Sequence, residues 1–384
     1  MDFRLTEEQE LMVQSLTELL QREAPDSLIA EADEKHEFLA KPWKALADNG
    51  ILGLGIPEKY GGTPADMQTL CLVCDTLGKY AFPLGVVYAL GVITIRDIMQ
   101  FGSEEIKEKV LGGFVKGEPP VALGISEPQA GSDAAGLKTT ATYDGDDVVF
   151  NGQKIYCTLS GLAKYIMLMT RDPKGESPYK SMSMWLLPTD TPGIRFNNLP
   201  KVGWHSVPTY EVFIDNARVP RKNLIGQENF GWPQLMANFE IERVSLGAVC
   251  VGAAEAAFED ACTFANSRVQ FGQPISNFQA IQHKITDMAI KIENMRNYYR
   301  KLAWMMDNGM PVRHEHAMGK LYMTQASFEV CDDAMQVMGG MGYMLAHRVQ
   351  RLWRDVRVMR IGGGTDEIMY NIAGPQLLKK YRSK

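Results

Sequence analysis

Cysteine is scarce in this chain: six are scattered over 384 residues, and the only close pair is Cys71 and Cys74. That count excludes a disulfide framework. The pair lies in an apolar helical run with no βαβ pattern around it, so it reads as two buried core thiols rather than a redox motif. A reduced, intracellular protein is the expectation. Charge of one sign is also lacking, since 40 basic and 46 acidic residues are interspersed for a net charge of -6. No basic stripe exists to grip a phosphate backbone, and nucleic acid is excluded as a partner. Long apolar runs are missing too. The longest, such as Gly85 to Ile95, fall short of a bilayer span, so no membrane insertion is expected. The start, MDFRLTEEQE, carries neither a basic n-region nor an Arg-rich transit pattern. This points to a cytoplasmic, bacterial protein. His314-Glu315-His316 lacks the spacing of a helical zinc motif and reads as a solvated helix start, leaving no metal site.

What the chain does have is size and pattern. With 45% hydrophobic residues it is long enough for two or three packed domains. From Leu5 to about Lys116 the period is helical. It opens with Thr6 and Gln9 as a capping box ahead of Met12, Val13, Leu16, Leu19 and Leu20. Gly50 ends one helix, Thr63-Pro64 starts another, and Ser103 before Glu104 and Glu105 starts a third. From about Pro120 to Gly231 the period becomes two. Strands are expected at 138–143, 147–150, 165–170, 183–187 and 210–214, with Asp144-Gly145 and Asn151-Gly152 as hairpin turns. Four long helices follow, near 232–268, 276–307, 314–338 and 366–381, which suggests a bundle. The expected class is α+β multidomain: an N-terminal all-α domain (1–119), a middle antiparallel β barrel-like domain (120–231) and a C-terminal four-helix bundle (232–384).

The chemistry is written in short segments. LGISEPQAGSD at Leu123 to Asp133 is a small-residue turn whose amides and hydroxyls suit an oxygen-rich ring. Tyr156-Cys157-Thr158 follows, then Arg268-Val269-Gln270-Phe271-Gly272, Phe278-Gln279, Gln336 to Gly340, and Gly362-Gly363-Gly364-Thr365-Asp366-Glu367. These segments, with IPEKYGG at Ile56 to Gly62 and VPRKNLIG at Val219 to Gly226, resemble the acyl-CoA dehydrogenase family over essentially the whole chain. Bacterial members such as crotonobetainyl-CoA reductase are similar in overall pattern. The resemblance implies FAD, a homotetramer, an acyl-CoA substrate and an electron-transferring flavoprotein as partner. By it, Ile125, Ser126, Ser132, Tyr156 and Thr158 face the flavin ring. Arg268, Gln270, Phe271, Phe278 and Gln279, with Gln336, Gly339 and Gly340, match positions for the pyrophosphate and adenosine, partly across a subunit interface. A guanidinium fork suits phosphate. Thr365 and Glu367 match flavin contacts. Ser132, Glu240, Arg243 and Gly364 match substrate positions. Two departures stand out: Tyr156 replaces the common Trp or Phe, and Gln129 puts a side chain where relatives carry Gly.

Taking a proton from the α carbon of a thioester needs a carboxylate against the flavin. The common family position for it is occupied here by Gly363, in Ile361-Gly362-Gly363-Gly364-Thr365. A minority of the family carries the base directly before an Arg on the first bundle helix. Asn238-Phe239-Glu240-Ile241-Glu242-Arg243 supplies Glu242 at that place. The resemblance then makes Glu242 the base and the Gly363 backbone N–H an oxyanion donor. Three alternatives stay open: an enoyl-CoA reductase using the same site in reverse, an oxidase, and a non-catalytic acyl-CoA-binding homologue.

Overall fold

The computed structural model describes residues 4–175, 177–379 and 381–382. The chain ends, and Lys380 of the last expected helix, lie outside these residues. Three parts follow in order: helical, β and helical. The first holds α1 (Glu7–Glu23), α2 (Asp26–Lys35), α3 (Ala40–Asp48), α4 (Met67–Tyr80), α5 (Phe82–Phe101) and α6 (Glu104–Val115). The Thr6–Gln9 capping box closes the start of α1, with both reciprocal bonds formed. Ser103 accepts the Ile106 N–H at the start of α6. The α4 start differs from expectation. Asp66, not Thr63, caps it by accepting the Thr69 N–H at 2.8 Å, and Thr63 lies instead in a bridge to Leu54.

α5 is more apolar than the Gly85–Ile95 run suggested. Its 20 residues are long and apolar enough to cross a membrane, yet 78% of its most apolar window is buried inside the protein. It packs on α4 and on α7 (Gly231–Ser267). Gly78 of α4 lets α4 and α7 approach each other closely, because a Cβ there would lie 2.2 Å from the Val249 carbonyl oxygen.

The middle part is one mixed sheet in the order β6-β7-β3-β2-β4-β5-β8, with β1 beside β4. Its strands are β1 (Ala122–Gly124), β2 (Thr140–Asp144), β3 (Asp147–Thr158), β4 (Tyr165–Arg171), β5 (Met182–Pro188), β6 (Ile194–Asn198), β7 (Thr209–Pro220) and β8 (Leu224–Ile225). Most pairs are antiparallel, but β1 and β2 each meet β4 in parallel. Gly145 forms the expected hairpin at φ 63°. Asn151-Gly152 does not turn. β3 runs through it with a bulge, because Gly152 lies against Thr139, where a Cβ would stand 2.7 Å from the Thr139 Cα. Phe150, Trp185 and Val212 form this part's separate core.

In the third part α7 is joined by the β9 (Val269–Gln270) and β10 (Gln273–Pro274) hairpin to α8 (Gln279–Asp307), then α9 (Glu315–Met338) and α11 (Asp366–Lys379). These match the four expected helices. A fifth helix, α10 (Arg348–Arg357), falls outside the four expected: Val349, Leu352 and Val356 face inward at helical spacing, but most of the stretch is polar or charged. The start of α9 also differs from expectation: His314 and His316 are buried, not solvated. Gly152→Val is expected to lower thermal stability, costing about 1–3 kcal/mol from overpacking against Thr139. Thermal unfolding of purified protein checks this, and an unchanged midpoint would contradict the close packing.

Candidate active site

α7 carries Glu242 on its face toward the loop before α11. The carboxyl group is 5% exposed, and its Oε2 has no hydrogen-bond partner. Gly363 meets it from that loop. Its φ is +65°, and a Cβ built on it would lie 3.8 Å from both Cδ and Oε1 of Glu242. Two chain positions far apart in sequence thus address one point.

The loop is held from beneath by two buried cations. Arg243 Nε donates to the Gly363 carbonyl at 3.1 Å, and Lys320 Nζ to the Gly364 carbonyl at 2.6 Å. Both cations attract Glu242, but burial outweighs them and raises its carboxyl above the ordinary value. Burial likewise pushes Lys320 down to about 8, against the pull of Asp366. His316 fixes Arg243. Its Nδ1 meets the Val312 carbonyl at 2.7 Å, and its Nε2 lies 2.8 Å from Arg243 Nη1. A carbonyl only accepts and a guanidinium only donates, so the ring is neutral with its proton on Nδ1. Burial, with the Arg243 charge, holds it down at about 4. Glu240, half-buried beside this group, is raised by burial. Thr365 accepts the Ile368 N–H at 3.3 Å, while Asp366 takes Arg360 and Gln325.

A second cluster orders the Ile125–Glu127 turn. Lys154 on β3 is fully buried and donates to the Ile125 carbonyl at 3.0 Å and to Glu127 Oε1 at 2.8 Å. Glu127 also accepts from the Thr139 N–H and hydroxyl and the Lys138 N–H. Burial pushes this carboxyl up, but Lys154 and these donors outweigh it and hold it low. The Ile155 N–H closes the turn on the Ser126 carbonyl at 2.9 Å. The bulge beside it sets Tyr156 at φ 59°, with the side chain 68% exposed. Ile125, Ser126, Tyr156 and Thr158 therefore share one open-faced patch whose polar edges would fit a planar heteroaromatic ring. Gln129 fits without a left-handed residue, its amide donating to Glu127 at 2.7 Å. Ser132 is exposed.

The remaining candidates stand elsewhere. Arg268, Gln270, Phe271, Phe278 and Gln279 cluster around the β9–β10 hairpin, where Phe271 is 93% exposed and meets Phe278 edge-on. Gln336, Gly339 and Gly340 are exposed at the end of α9, and Glu367 at the start of α11. Among the described residues no hydrogen bond or ion pair ties the hairpin group to the Tyr156 patch. Sequence reasoning missed Lys154, Glu127, Lys320 and the Arg243–His316 contact. Buried charges are the available signal, and only packing reveals which charges are buried.

Models of the acyl-CoA dehydrogenase N-terminal, middle and C-terminal domains match residues 6–118, 122–217 and 229–378. The chain is 43% identical to the probable acyl-CoA dehydrogenase YdiO of Escherichia coli over the full length of both. Butyryl-CoA dehydrogenase of Megasphaera elsdenii superposes with a TM-score of 0.94 at 32% identity, covering 98% of this chain and all of that one. A chain in the structure described as the electron transferring flavoprotein of Acidaminococcus fermentans gives 0.95 at 32%, over 99% and 100%.

Two outcomes test this geometry. Lys154→Met leaves Glu127 buried without its cation, so roughly 3–5 kcal/mol of stability is lost and bound flavin with it. Full flavin retention at unchanged stability would contradict the role of the pair. For His316 the folded value lies below the unfolded one. The unfolded chain therefore binds more protons between about pH 6.5 and 4, and stability falls as pH drops through that window. The loss reaches up to about 3 kcal/mol and should shrink in His316→Gln, as acid unfolding of both proteins would reveal.

Proposed function

The chain belongs to the acyl-CoA dehydrogenase family, whose cofactor is FAD, and from that premise we propose that it converts an acyl-CoA thioester to the trans-2-enoyl-CoA, with Glu242 as base. The observation that carries the assignment is the convergence of Glu242 and Gly363 on one point. The position that commonly supplies the carboxylate in the family is empty of side chain here, and Glu242 fills the same space from α7.

Glu242 suits the task because burial raises its carboxyl, making the ionised form a stronger acceptor for a carbon-bound proton. Arg243 and Lys320 do not quench it, since their hydrogen bonds go to the Gly363 and Gly364 carbonyls and to His316 rather than to Glu242. That clamp fixes the loop backbone and leaves the Gly363 N–H to receive the developing charge on the thioester oxygen. FAD, when bound, supplies N5 as acceptor for the β hydride. Ile125, Ser126, Ser132, Tyr156 and Thr158 would hold its ring, with Thr365 and Glu367 as further contacts. Arg268, Gln270, Phe271, Phe278, Gln279, Gln336, Gly339 and Gly340 would hold pyrophosphate and adenosine. The exposure of that second group in one chain supports completion of the site by another copy, in a homotetramer. Ser132, Glu240, Arg243 and Gly364 would border the CoA thioester. An electron-transferring flavoprotein as acceptor and a cytoplasmic role in acyl-chain oxidation complete the reading.

Glu242→Gln keeps shape but removes the proton acceptor. Anaerobic stopped-flow with an acyl-CoA panel should find flavin reduction slowed on the order of 10²–10⁴-fold, with FAD still bound. Glu367→Gln should be far milder. Joining Glu242→Gly to Gly363→Glu should restore part of the rate, limited by a left-handed backbone that costs a non-glycine residue roughly 1–2 kcal/mol. Flavin reduction at the parent rate in Glu242→Gln would show that the base is another group.

A further inference from the structure

The seam between α5 and α7 buries two carboxylates, and the reaction above uses one. The other is Asp97 on α5, which is 0% exposed. Asn238 Nδ2 donates to its Oδ1 at 2.6 Å and also to Gln100 at 3.1 Å. Asp97 Oδ2 has no partner. Burial pushes this carboxyl up to about 7; the Asn238 bond opposes that, and the negative charge of Glu242 adds to it. A buried carboxylate oxygen left without a donor is costly, and sites of that kind are completed by a ligand or water. Glu242 Oε2 is in the same condition in the same seam. Substrate placed over Glu242 would come within reach of both.

Asp97, through Asn238, lies nearer the start of α7 than the base does. Its partner Asn238 precedes Glu242 by four residues on α7, about 6 Å along the axis. Toward the α7 start the helix opens, with Trp232, Met236, Phe239 and Glu240 only partly buried and Phe230 49% exposed just before it. Beyond Glu242 it is sealed, from Val244 through Ala257 apart from a partly exposed Glu255. With the thioester over Glu242, the apolar, buried side past Val244 suits the acyl tail and the more open side past Asn238 suits the thiol half. About five bonds lead from the α carbon through the carbonyl carbon, sulfur and two methylenes to the first amide nitrogen of the pantetheine arm. Extended, that is about 6 Å, since three chain bonds span about 3.3–3.6 Å. The amide N–H arrives one helical turn from the base, where an acceptor without a donor stands.

We propose that Asp97 accepts a hydrogen bond from the first amide N–H of the substrate's pantetheine arm. Asp97 is then a substrate-binding residue that sets the thioester over Glu242. The proposal rests on the dehydrogenase reading for the position of the thioester.

The test uses two small thioesters of one acyl group with the FAD-loaded protein. One is the N-acetylcysteamine thioester. The other is its ketone isostere, with a methylene in place of the amide N–H. Binding is read from perturbation of the flavin absorbance and turnover from anaerobic flavin reduction. The parent protein should favour the amide roughly ten- to a hundredfold, the range for a hydrogen bond to a charged acceptor. In Asp97→Leu that ratio should fall toward one, and in Asp97→Asn, which keeps an oxygen, it should lie between. Each ratio is internal to one protein, so partial loss of folded material does not distort it. Equal binding of the two thioesters by the parent, or a parental ratio in Asp97→Leu, overturns the proposal. If neither thioester nor any acyl-CoA reduces the flavin, the dehydrogenase reading fails, while the binding ratio still decides the role of Asp97.

Discussion

A carboxylate buried without a direct ionic partner is the constraint around which the centre of this molecule is arranged. Desolvation of Glu242 opposes its ionised form, and the fold answers with charge placed near it rather than on it. Arg243 and Lys320 both attract Glu242, yet their hydrogen bonds go to the carbonyls of Gly363 and Gly364 and, for Arg243, to His316 as well. A bidentate pair with Arg243 would stabilise the anion and lower its proton affinity. Through-space attraction lets the anion exist in the interior while keeping it basic. The price is a polar interior that must be satisfied, and His316, spanning Val312 and Arg243, meets part of that need.

The same arrangement explains the glycine loop. Gly363 and Gly364 have φ values of +65° and +100°, so their carbonyls can turn toward α7 and α9. At Gly364 a Cβ would come within 2.6 Å of the Met369 methyl, whereas at Gly363 it would meet only ordinary contacts. Gly364 is held to glycine by its backbone conformation, since the methyl a Cβ would meet is the end of a flexible side chain. Gly363 leaves room that Glu242 uses, which is why a carboxylate at either position could address the same point.

Local signals in the sequence carried much of the fold. The Thr6 capping box, the Ser103 cap, the Gly145 hairpin and the long helices depend on contacts within a few residues, and they formed as expected. The failures depended on distant ones. Asn151-Gly152 has turn chemistry, but Thr139 lies against Gly152 and the strand continues. α10 is amphipathic through charged residues whose partners are remote, as with Arg351 and Asp26 or Arg354 and Asp33. At the site, Glu242 was legible only because the family resemblance exposed the gap at Gly363. His314-Glu315-His316 was misread because three residues do not tell which side of a helix faces the core. Lys320, one turn beyond His316, was invisible for the same reason.

Two fully buried lysines show how partner chemistry separates scaffold from site. Burial pushes both ammonium groups below the ordinary value. Lys154 touches a carboxylate, Glu127, and the pair neutralises itself while its remaining donor holds the Ile125 carbonyl. Little field escapes such a pair, so its effect is geometric: it sets the turn beside Tyr156. Lys320 touches only a carbonyl and its positive charge is not cancelled by a bonded anion. Its field reaches Glu242 and Asp366, and at about 8 its own proton is lost just above neutrality. Charge at the base is therefore tuned by a group that can itself titrate, whereas the turn beside Tyr156 rests on a directly bonded pair. A buried charge with a bonded counter-ion fixes shape; one bonded only to dipoles sets potential, and this chain places the second kind beneath its proposed base.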